Sequence, residues 1–213
     1  GQRILPAGQT TQMIVGATPD RDATILALTE RLYLRYGMKR VYYSAYSPVG
    51  DPKVLPTEPE DRLRENRLYQ ADWLLRFYGF SAGELLAPGE NLDPDLDPKS
   101  AWALRNPQQF PIEINTAPYE MLLRVPGIGI RSAHRILQAR KETQLTCEDL
   151  QKMKVVLRRA SHFILCNGKY QGCGENRTIL RSRLLIPGAR QVSPDQYSLF
   201  STVQTAMTLT GEL

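Results

Sequence analysis

A short turn in the second half of the sequence concentrates groups that can bind an anion. Its residues, Pro126-Gly127-Ile128-Gly129, separate two runs whose apolar residues recur at helical spacing. Proline cannot continue the first helix, and glycine allows backbone angles that other residues avoid. Such a turn leaves backbone N–H groups free at the start of the next helix, where phosphate binds readily. Three basic side chains surround this predicted phosphate site: Arg124, Arg131 and Arg135.

The cysteines and histidines lack the spacing of a metal site. Cys147, Cys166 and Cys173 are odd in number and form no CxxC pair. Cys166 and Cys173 could be ligands, but free thiols are the favoured interpretation because no second pair accompanies them. His134 lies among arginines and is expected at the surface or facing phosphate, with His162 the only other histidine. We therefore predict no metal, and thiols that fit a reducing cytoplasm.

Two short helices must position the turn. Asn115 or Thr116 is the candidate cap of the first. The second is predicted to begin near Ile130 and to cross the first closely at Ala133, which is small.

Charge is unevenly distributed along the chain. Residues 114–183 contain 13 Lys and Arg against 5 Asp and Glu, a balance of +8, whereas the whole chain carries +5. The remainder is therefore net acidic, at −3. A basic segment beside an acidic one favours contact with a polyanion, and a solvated charged surface is the alternative.

Residues 1–90 alternate between strand-like and helical patterns. A β-rich run at 12–16 precedes a helical run at 22–36, and a strand-like run at 39–46 precedes an amphipathic run at 62–78. The order strand, helix, strand, helix indicates a parallel α/β arrangement. Two strands complete neither a sheet nor a barrel, so we expect part of a larger unit.

The remaining sequence divides into three segments. Residues 91–113 form an acidic connector with Asp-Pro pairs and one short helix. Residues 114–186 are predicted to be helical in short pieces, with one further strand at 178–186, and residues 187–213 to be a mobile tail. The expected fold class is thus α/β plus α.

The stretch LLRVPGIGIRSAHRIL resembles the helix-hairpin-helix motif of DNA repair and processing proteins. The similarity covers residues 114–163, including the upstream INTA and the downstream EDLQKMKVVLRRA. It implies that backbone amides hold DNA phosphate without reading any base, so that binding is non-specific. A hairpin that serves only packing is the alternative. The residues implied to bind DNA are Arg124, Pro126, Gly127, Ile128, Gly129, Ile130, Arg131, Ser132 and Arg135.

The first region resembles a second family. The runs PAGQTTQMIVGATPDRDATIL, KRVYYSAYSPV and RLYQADWLLRFYGF are similar to the later strands and helices of radical S-adenosylmethionine enzymes. Over residues 1–186 the chain resembles a DNA modification or repair subfamily of these enzymes, in which a helix-hairpin-helix segment follows the barrel.

This second resemblance implies the C-terminal part of a β/α (TIM-like) barrel. It also implies S-adenosylmethionine and a [4Fe–4S] cluster in a longer protein. The cluster motif CxxxCxxC does not occur in these 213 residues, so we expect this chain alone to hold no cofactor and to be inactive.

The strand ends of such barrels face the active site. The residues implied to line a cofactor or substrate pocket are Gln12, Gly16, Tyr43 and Tyr46. Half-buried strand aromatics are the alternative interpretation of the tyrosines.

The segment QYSLF near the C-terminus resembles the QxxLF peptide by which bacterial repair proteins dock on the sliding clamp. The resemblance implies that Gln196, Leu199 and Phe200 contact this partner. Folding of the two apolar side chains onto the chain's own core is the alternative.

These patterns predict the C-terminal portion of a radical S-adenosylmethionine DNA modification or repair protein that binds DNA non-specifically. A non-enzymatic DNA-binding adaptor that docks on the clamp is one alternative, and an RNA-modifying enzyme of the same family is another. The sequence has no run of eighteen apolar residues and opens with no signal peptide, so we expect a cytoplasmic protein without a membrane partner.

Overall fold

The computed structural model describes residues 7–48, 55–172 and 177–185. Cys173 and the clamp-type residues Gln196, Leu199 and Phe200 lie outside these ranges, so clamp docking stays a sequence prediction. Within the described ranges, no helix combines the length and the apolar character that crossing a bilayer requires.

The first unit has the strand–helix–strand–helix order that the sequence pattern predicts. Its elements are β1 (Thr10–Val15), α1 (Asp22–Tyr36), β2 (Arg40–Ala45) and α2 (Arg62–Phe77). The strands pair in parallel, with Gln12 opposite Tyr42 and Met13 opposite Tyr43. Parallel pairing needs a crossover connection, which α1 supplies. Gly37 ends that helix in a left-handed conformation, with φ of 60°.

Both helices cover the same face of this sheet. Tyr43 is buried there, with its hydroxyl 2.9 Å from that of Thr29 on α1 and its ring edge-on against Tyr69 of α2. Alternate residues point to the other face, where Gln12 is exposed and Ile14 is 58% exposed. No closed barrel is formed by the described residues, and the barrel stays a prediction.

Residues 91–113 contribute several side chains to the protein core. This stretch follows α3 (Ala82–Leu85) and contains α4 (Pro98–Arg105), a 3-10 turn and β3 (Ile112–Glu113). Leu96 and Trp102 are almost completely buried. Asp97 caps α4 by accepting a hydrogen bond from the N–H of Ser100 and also forms an ion pair with Arg159. The acidic connector thus neutralises part of the basic segment that follows it.

The helical half contains two pairs of short helices and a small sheet. Its elements are α5 (Tyr119–Arg124), α6 (Ile130–Ala139), α7 (Cys147–Lys152), α8 (Leu157–Ala160), β4 (Ile164–Cys166), β5 (Lys169–Tyr170) and α9 (Arg177–Leu184). β4 pairs in parallel with β3 and antiparallel with β5. The small sheet therefore joins the strand before the two helix pairs to the strands after them.

The strand predicted at residues 178–186 is wrong. Its described part belongs to α9, which begins at Arg177 and ends at Leu184. Leu180 and Leu184 are four residues apart and both pack on the core, which is the helical period rather than the alternation of a strand. Arg181 anchors the helix through an ion pair with Asp93 of the acidic connector.

Candidate nucleic-acid interface

The first hairpin is a tight turn between α5 and α6. Gly127 has a φ of 88°, in the left-handed region that favours glycine. The side chain of Ile128 is 1% exposed, and its N–H donates to the carbonyl of Val125 at 3.1 Å. Pro126 is buried as well. The apolar residues of the hairpin therefore fix the turn.

Several N–H groups of this hairpin have no protein acceptor. Among the described hydrogen bonds, none uses the N–H of Gly127, Gly129 or Arg131. Gly129 caps α6 without any side-chain hydrogen bond. The ten residues of α6 add the positive end of a helix dipole at the same place. Free donors and a helix dipole together are the features that favour anion binding at a helix N-terminus.

A second hairpin follows 27 residues later and packs on the first. It joins α7 to α8, and Lys154 occupies the position of Gly127, with a φ of 62°. Ala160 corresponds to Ala133, and both are fully buried. The N–H of Val156 donates to the carbonyl of Gly127 at 3.0 Å. The sequence interpretation treated this segment as a downstream part of one motif and missed the repeat.

The second hairpin uses its own N–H groups internally. The N–H of Lys154 donates to Gln151 at 3.0 Å, and that of Val155 donates to Leu150 at 3.1 Å. With the N–H of Val156 bound to Gly127, little donor capacity remains for an anion. We call the first turn, residues 125–129, the open hairpin and the second, residues 152–156, the closed hairpin.

Contacts between the hairpins also hold Ser132, a predicted DNA-binding residue. Its side chain is buried, and the hydroxyl donates to the carbonyls of Met153 and Lys154 at 3.1 and 3.2 Å. Asn115, expected to cap the first helix, lies elsewhere, because the N-cap of α5 is Pro118. The Asn115 side chain bonds both the N–H and the carbonyl of Leu145 and so ties the two helix pairs together.

The exposed basic side chains near the open hairpin form one group. Arg131 and Arg135 are exposed one turn apart on α6, and Arg135 reaches the carbonyl of Met153 at 3.4 Å. Lys154 of the closed hairpin is exposed beside them. Sequence reasoning did not select Lys154, although the repeat of apolar positions would have found it. We call Arg131, Arg135 and Lys154 the basic triad.

Arg124 is positioned differently from the other predicted arginines. Its guanidinium binds Glu84 of α3 at 3.0 Å and lies over the rings of Phe80 and Trp102. Its side chain is only 16% exposed. The structure thus places Arg124 between α3 and the hairpin, where it joins the two.

A buried lysine supports the open hairpin from behind. Lys99 of α4 is almost fully buried, and its Nζ donates to the carbonyl of Ile128 at 2.6 Å. Burial lowers the pKa of Lys99 to about 7, with Arg124 acting in the same direction and Asp97 against it. The ammonium also lies 4.8 Å from the ring centre of Tyr78. No local pattern marks this lysine, since its partner is 29 residues away.

The residues predicted to line a cofactor pocket are not brought together. Gln12 and Tyr43 lie on opposite faces of the sheet, and Tyr43 is buried against the helices. Gly16 and Tyr46 do lie at neighbouring strand ends, where Tyr46 is 5% exposed and donates to the carbonyl of Pro56. Glu60 fills the space in front of Gly16.

The model of the helix-hairpin-helix motif family matches residues 108–158. The match spans both hairpins, from just before β3 to the start of α8. It confirms the helix-hairpin-helix interpretation and with it a motif that suggests nucleic-acid binding. No curated protein and no solved structure gives a significant match to the chain. None of these comparisons supports the resemblance to radical S-adenosylmethionine enzymes or to clamp-binding proteins.

Proposed function

We propose that this protein binds the phosphate backbone of nucleic acid, preferentially duplex DNA, at the open hairpin. The observation that carries the proposal is the set of N–H groups at the start of α6 that have no acceptor among the described residues. The basic triad supplies exposed charge next to these donors. Ile128 and Ser132 are buried and serve by fixing the turn. Arg124 serves by joining the hairpin to α3.

Binding of this kind is indifferent to base sequence. Backbone amides and exposed arginines contact phosphate oxygens, which are the same at every nucleotide. The basic surface is smaller than the charge count indicates, because Arg124, Arg159 and Arg181 are bound to carboxylates of upstream segments.

The test compares the salt dependence of duplex DNA binding, followed by fluorescence anisotropy, in matched double variants. Arg131→Ala/Arg135→Ala should weaken binding to all sequences alike and lower the log–log salt slope by about 0.9 for each lost phosphate contact. Arg31→Ala/Lys169→Ala removes the same charge from exposed positions on α1 and β5 and serves as the control. Equal affinities of the two double variants would overturn the proposal. Duplex RNA of the same sequence, run in parallel, distinguishes the RNA alternative.

We propose further that the first unit belongs to a β/α barrel of the radical S-adenosylmethionine type. The parallel pairing of β1 and β2, with both helices on one face, supports this, as does the exposure of Ile14 on the other face. The proposal predicts an in-frame CxxxCxxC motif encoded upstream of residue 1. A gene without that motif would leave the DNA-binding adaptor as the better description.

The described cysteines do not fit the iron–sulfur cluster of such enzymes. Cys147 and Cys166 are buried with their Sγ atoms 2.7 Å apart, 19 residues from each other in sequence. Burial, reinforced by Cys147, raises the pKa of Cys166 to about 12, whereas cluster ligands are thiolates. These two thiols therefore serve packing between α7 and β4.

Clamp docking through the QYSLF segment is also a proposal, supported by the sequence alone. Deletion of residues 196–200 should abolish capture of the chain by an immobilised sliding clamp and leave duplex DNA affinity unchanged. If the immobilised clamp retained the full-length chain and the deletion variant to the same extent, this contact would be refuted.

A further inference from the structure

An exposed aromatic pair lies at the C-terminal end of α2. The side chain of Trp73 is 47% exposed and that of Phe77 is 43% exposed, with ring centres 4.4 Å apart. The guanidinium of Arg76 lies over Phe77 at 4.8 Å and near Trp73 at 5.8 Å, and it is held by an ion pair with Asp72. Large aromatic side chains in this position are costly to leave in water, which makes them candidates for a binding surface.

Tyr78 connects this pair to the open hairpin. Its hydroxyl lies beside the backbone N–H of Ile130 and the indole N–H of Trp73. A β-carbon placed on Gly129 would lie 3.6 Å from the same oxygen. Trp73 is therefore one side chain away from the N-terminus of α6, where the proposed phosphate site lies.

The hydroxyl of Tyr78 can donate a hydrogen bond to a phosphate. A phenol has one O–H donor and two acceptor lone pairs. The N–H groups of Ile130 and Trp73 act on this oxygen as donors, so they engage its lone pairs and not its O–H proton. That proton can donate to an oxygen of a phosphate bound at the hairpin.

The neighbourhood of this surface favours a polyanion over an apolar protein partner. Two nearby carboxylates are neutralised in ion pairs, Asp72 with Arg76 and Glu84 with Arg124. The exposed cations next to the N-terminus of α6, Arg131 and Arg135, have no such pairing among the described ion pairs. The surface is also continuous with the open hairpin.

We propose that Tyr78 and Trp73 extend the open hairpin into a site for an unpaired nucleotide. Tyr78 donates to the phosphate, and the indole of Trp73 stacks on the base of a nucleotide next to it. A base within a duplex has both faces covered by its neighbours, whereas an unpaired base can offer a face to a protein ring. The preferred ligand is then DNA in which a duplex adjoins an unpaired nucleotide, at an overhang, gap or junction. This inference rests on the proposed function and narrows its substrate class.

The test uses tryptophan fluorescence and three DNA substrates: a blunt duplex, the same duplex with a short overhang on one strand, and that longer strand alone. The chain has two tryptophans, and Trp102 is 1% exposed, so quenching by a stacked base reports on Trp73. Stacking of one base is worth about 1–3 kcal/mol, so the overhang should bind roughly 5- to 150-fold more tightly than the blunt duplex and quench the fluorescence.

Three variants separate the parts of the site. Trp73→Ala should lose the preference for the overhang and keep the affinity for the blunt duplex. Tyr78→Phe should weaken both substrates by the same few-fold factor. Tyr36→Ala removes an exposed aromatic ring on α1 and should change neither.

The outcomes distinguish this inference from the function on which it rests. A wild-type protein that binds blunt and overhanging duplexes equally, without quenching, overturns the unpaired-nucleotide site alone. A wild-type protein that binds no DNA overturns the proposed function. Trp73→Phe, which keeps an aromatic ring, should retain the overhang preference and provides the test if the alanine variant does not fold. Loss of that preference in a folded Trp73→Phe variant would also count against stacking.

Discussion

The two hairpins follow the same backbone path and differ in what remains of their hydrogen-bonding capacity. Gly127 and Lys154 both adopt positive φ, at 88° and 62°, and each hairpin places a fully buried alanine six residues later. In the open hairpin, the N–H groups of Gly127, Gly129 and Arg131 have no acceptor among the described residues. At the matching positions of the closed hairpin, the N–H groups of Lys154 and Val156 are bound by the protein, and only that of Arg158 has no acceptor among the described residues.

This difference shows that the shape of a hairpin does not by itself make an anion site. Free backbone donors near a helix start need an external acceptor, whereas donors that already have one offer nothing to a ligand. Helix length acts in the same direction, because α6 has ten residues and α8 has four. The closed hairpin contributes the side chain of Lys154, and its backbone supports the open hairpin.

The largest expected effect comes from filling the space between the hairpins. A β-carbon on Gly127 would lie 2.6 Å from the carbonyl oxygen of Val156, at a φ that side chains avoid. Left-handed strain costs about 1–2 kcal/mol and overpacking about 1–3 kcal/mol, so Gly127→Ala should lower the free energy of unfolding by about 3 kcal/mol. Urea denaturation measures this loss.

Gly129→Ala is the matched control for that variant. Gly129 has a φ of −96°, and the nearest atom to its added carbon is 3.6 Å away. Its cost should stay below about 1 kcal/mol, the range for an N-cap residue. Similar losses for the two variants would show that the hairpins are not packed as described.

A smaller and pH-dependent effect is expected at Lys99, which supports only the open hairpin. Its pKa is about 7 in the folded chain, against about 10.4 for an unperturbed lysine. Between these values the unfolded chain holds a proton that the folded chain lacks, so this lysine contributes more stability as pH rises from 7 to 10.

Lys99→Met should therefore be less stable than wild type at pH 9, by about 1–2 kcal/mol, because the carbonyl of Ile128 loses its donor. At pH 6 the deficit should shrink or reverse, since the buried ammonium is then costly to wild type. Urea unfolding of both proteins across this pH range measures the difference. A deficit that does not change with pH would show that Lys99 keeps its ordinary pKa.

The smallest effect is expected at Lys154, with opposite signs for stability and binding. Lys154→Gly should raise the free energy of unfolding by about 1 kcal/mol by relieving the left-handed strain at φ of 62°. It should also lower the salt slope of DNA binding by about 0.9, because one exposed cation is lost. On the same preparation, denaturation measures the free energy of unfolding and fluorescence anisotropy measures the salt slope. A change in stability without a change in slope would remove Lys154 from the interface.

The open hairpin could be predicted from sequence because its signals are local. Proline, two glycines and flanking apolar residues constrain the backbone within a few positions, and the structure has the turn where they predict it. The alternation of strands and helices in the first unit was predicted for the same reason. The second hairpin was not predicted because Lys154 stands where the motif has glycine, so the sequence gives no sign of this strained backbone position.

The supporting residues could not be predicted because their partners are distant in sequence. Tyr78 and Lys99 reach the hairpin from α2 and α4, and nothing near them indicates that contact. Asn115 was expected to cap a helix, and instead it binds the backbone of Leu145. Arg124 counted as a DNA contact by proximity, yet a carboxylate on α3 holds it. Such assignments depend on tertiary packing.

The hydrogen bond from the N–H of Val156 to the carbonyl of Gly127 limits which part of the motif can be moved into another protein. A graft of residues 119–139 into another scaffold would expose the carbonyl of Gly127 and the face of this glycine that packs against Val156 and Ala160. The smallest segment that keeps both hairpins and their sheet runs from β3 through β4. It still lacks Lys99, whose amine donates to the carbonyl of Ile128. Recombination or protein engineering that moves this element must therefore move the pair of hairpins together with α4.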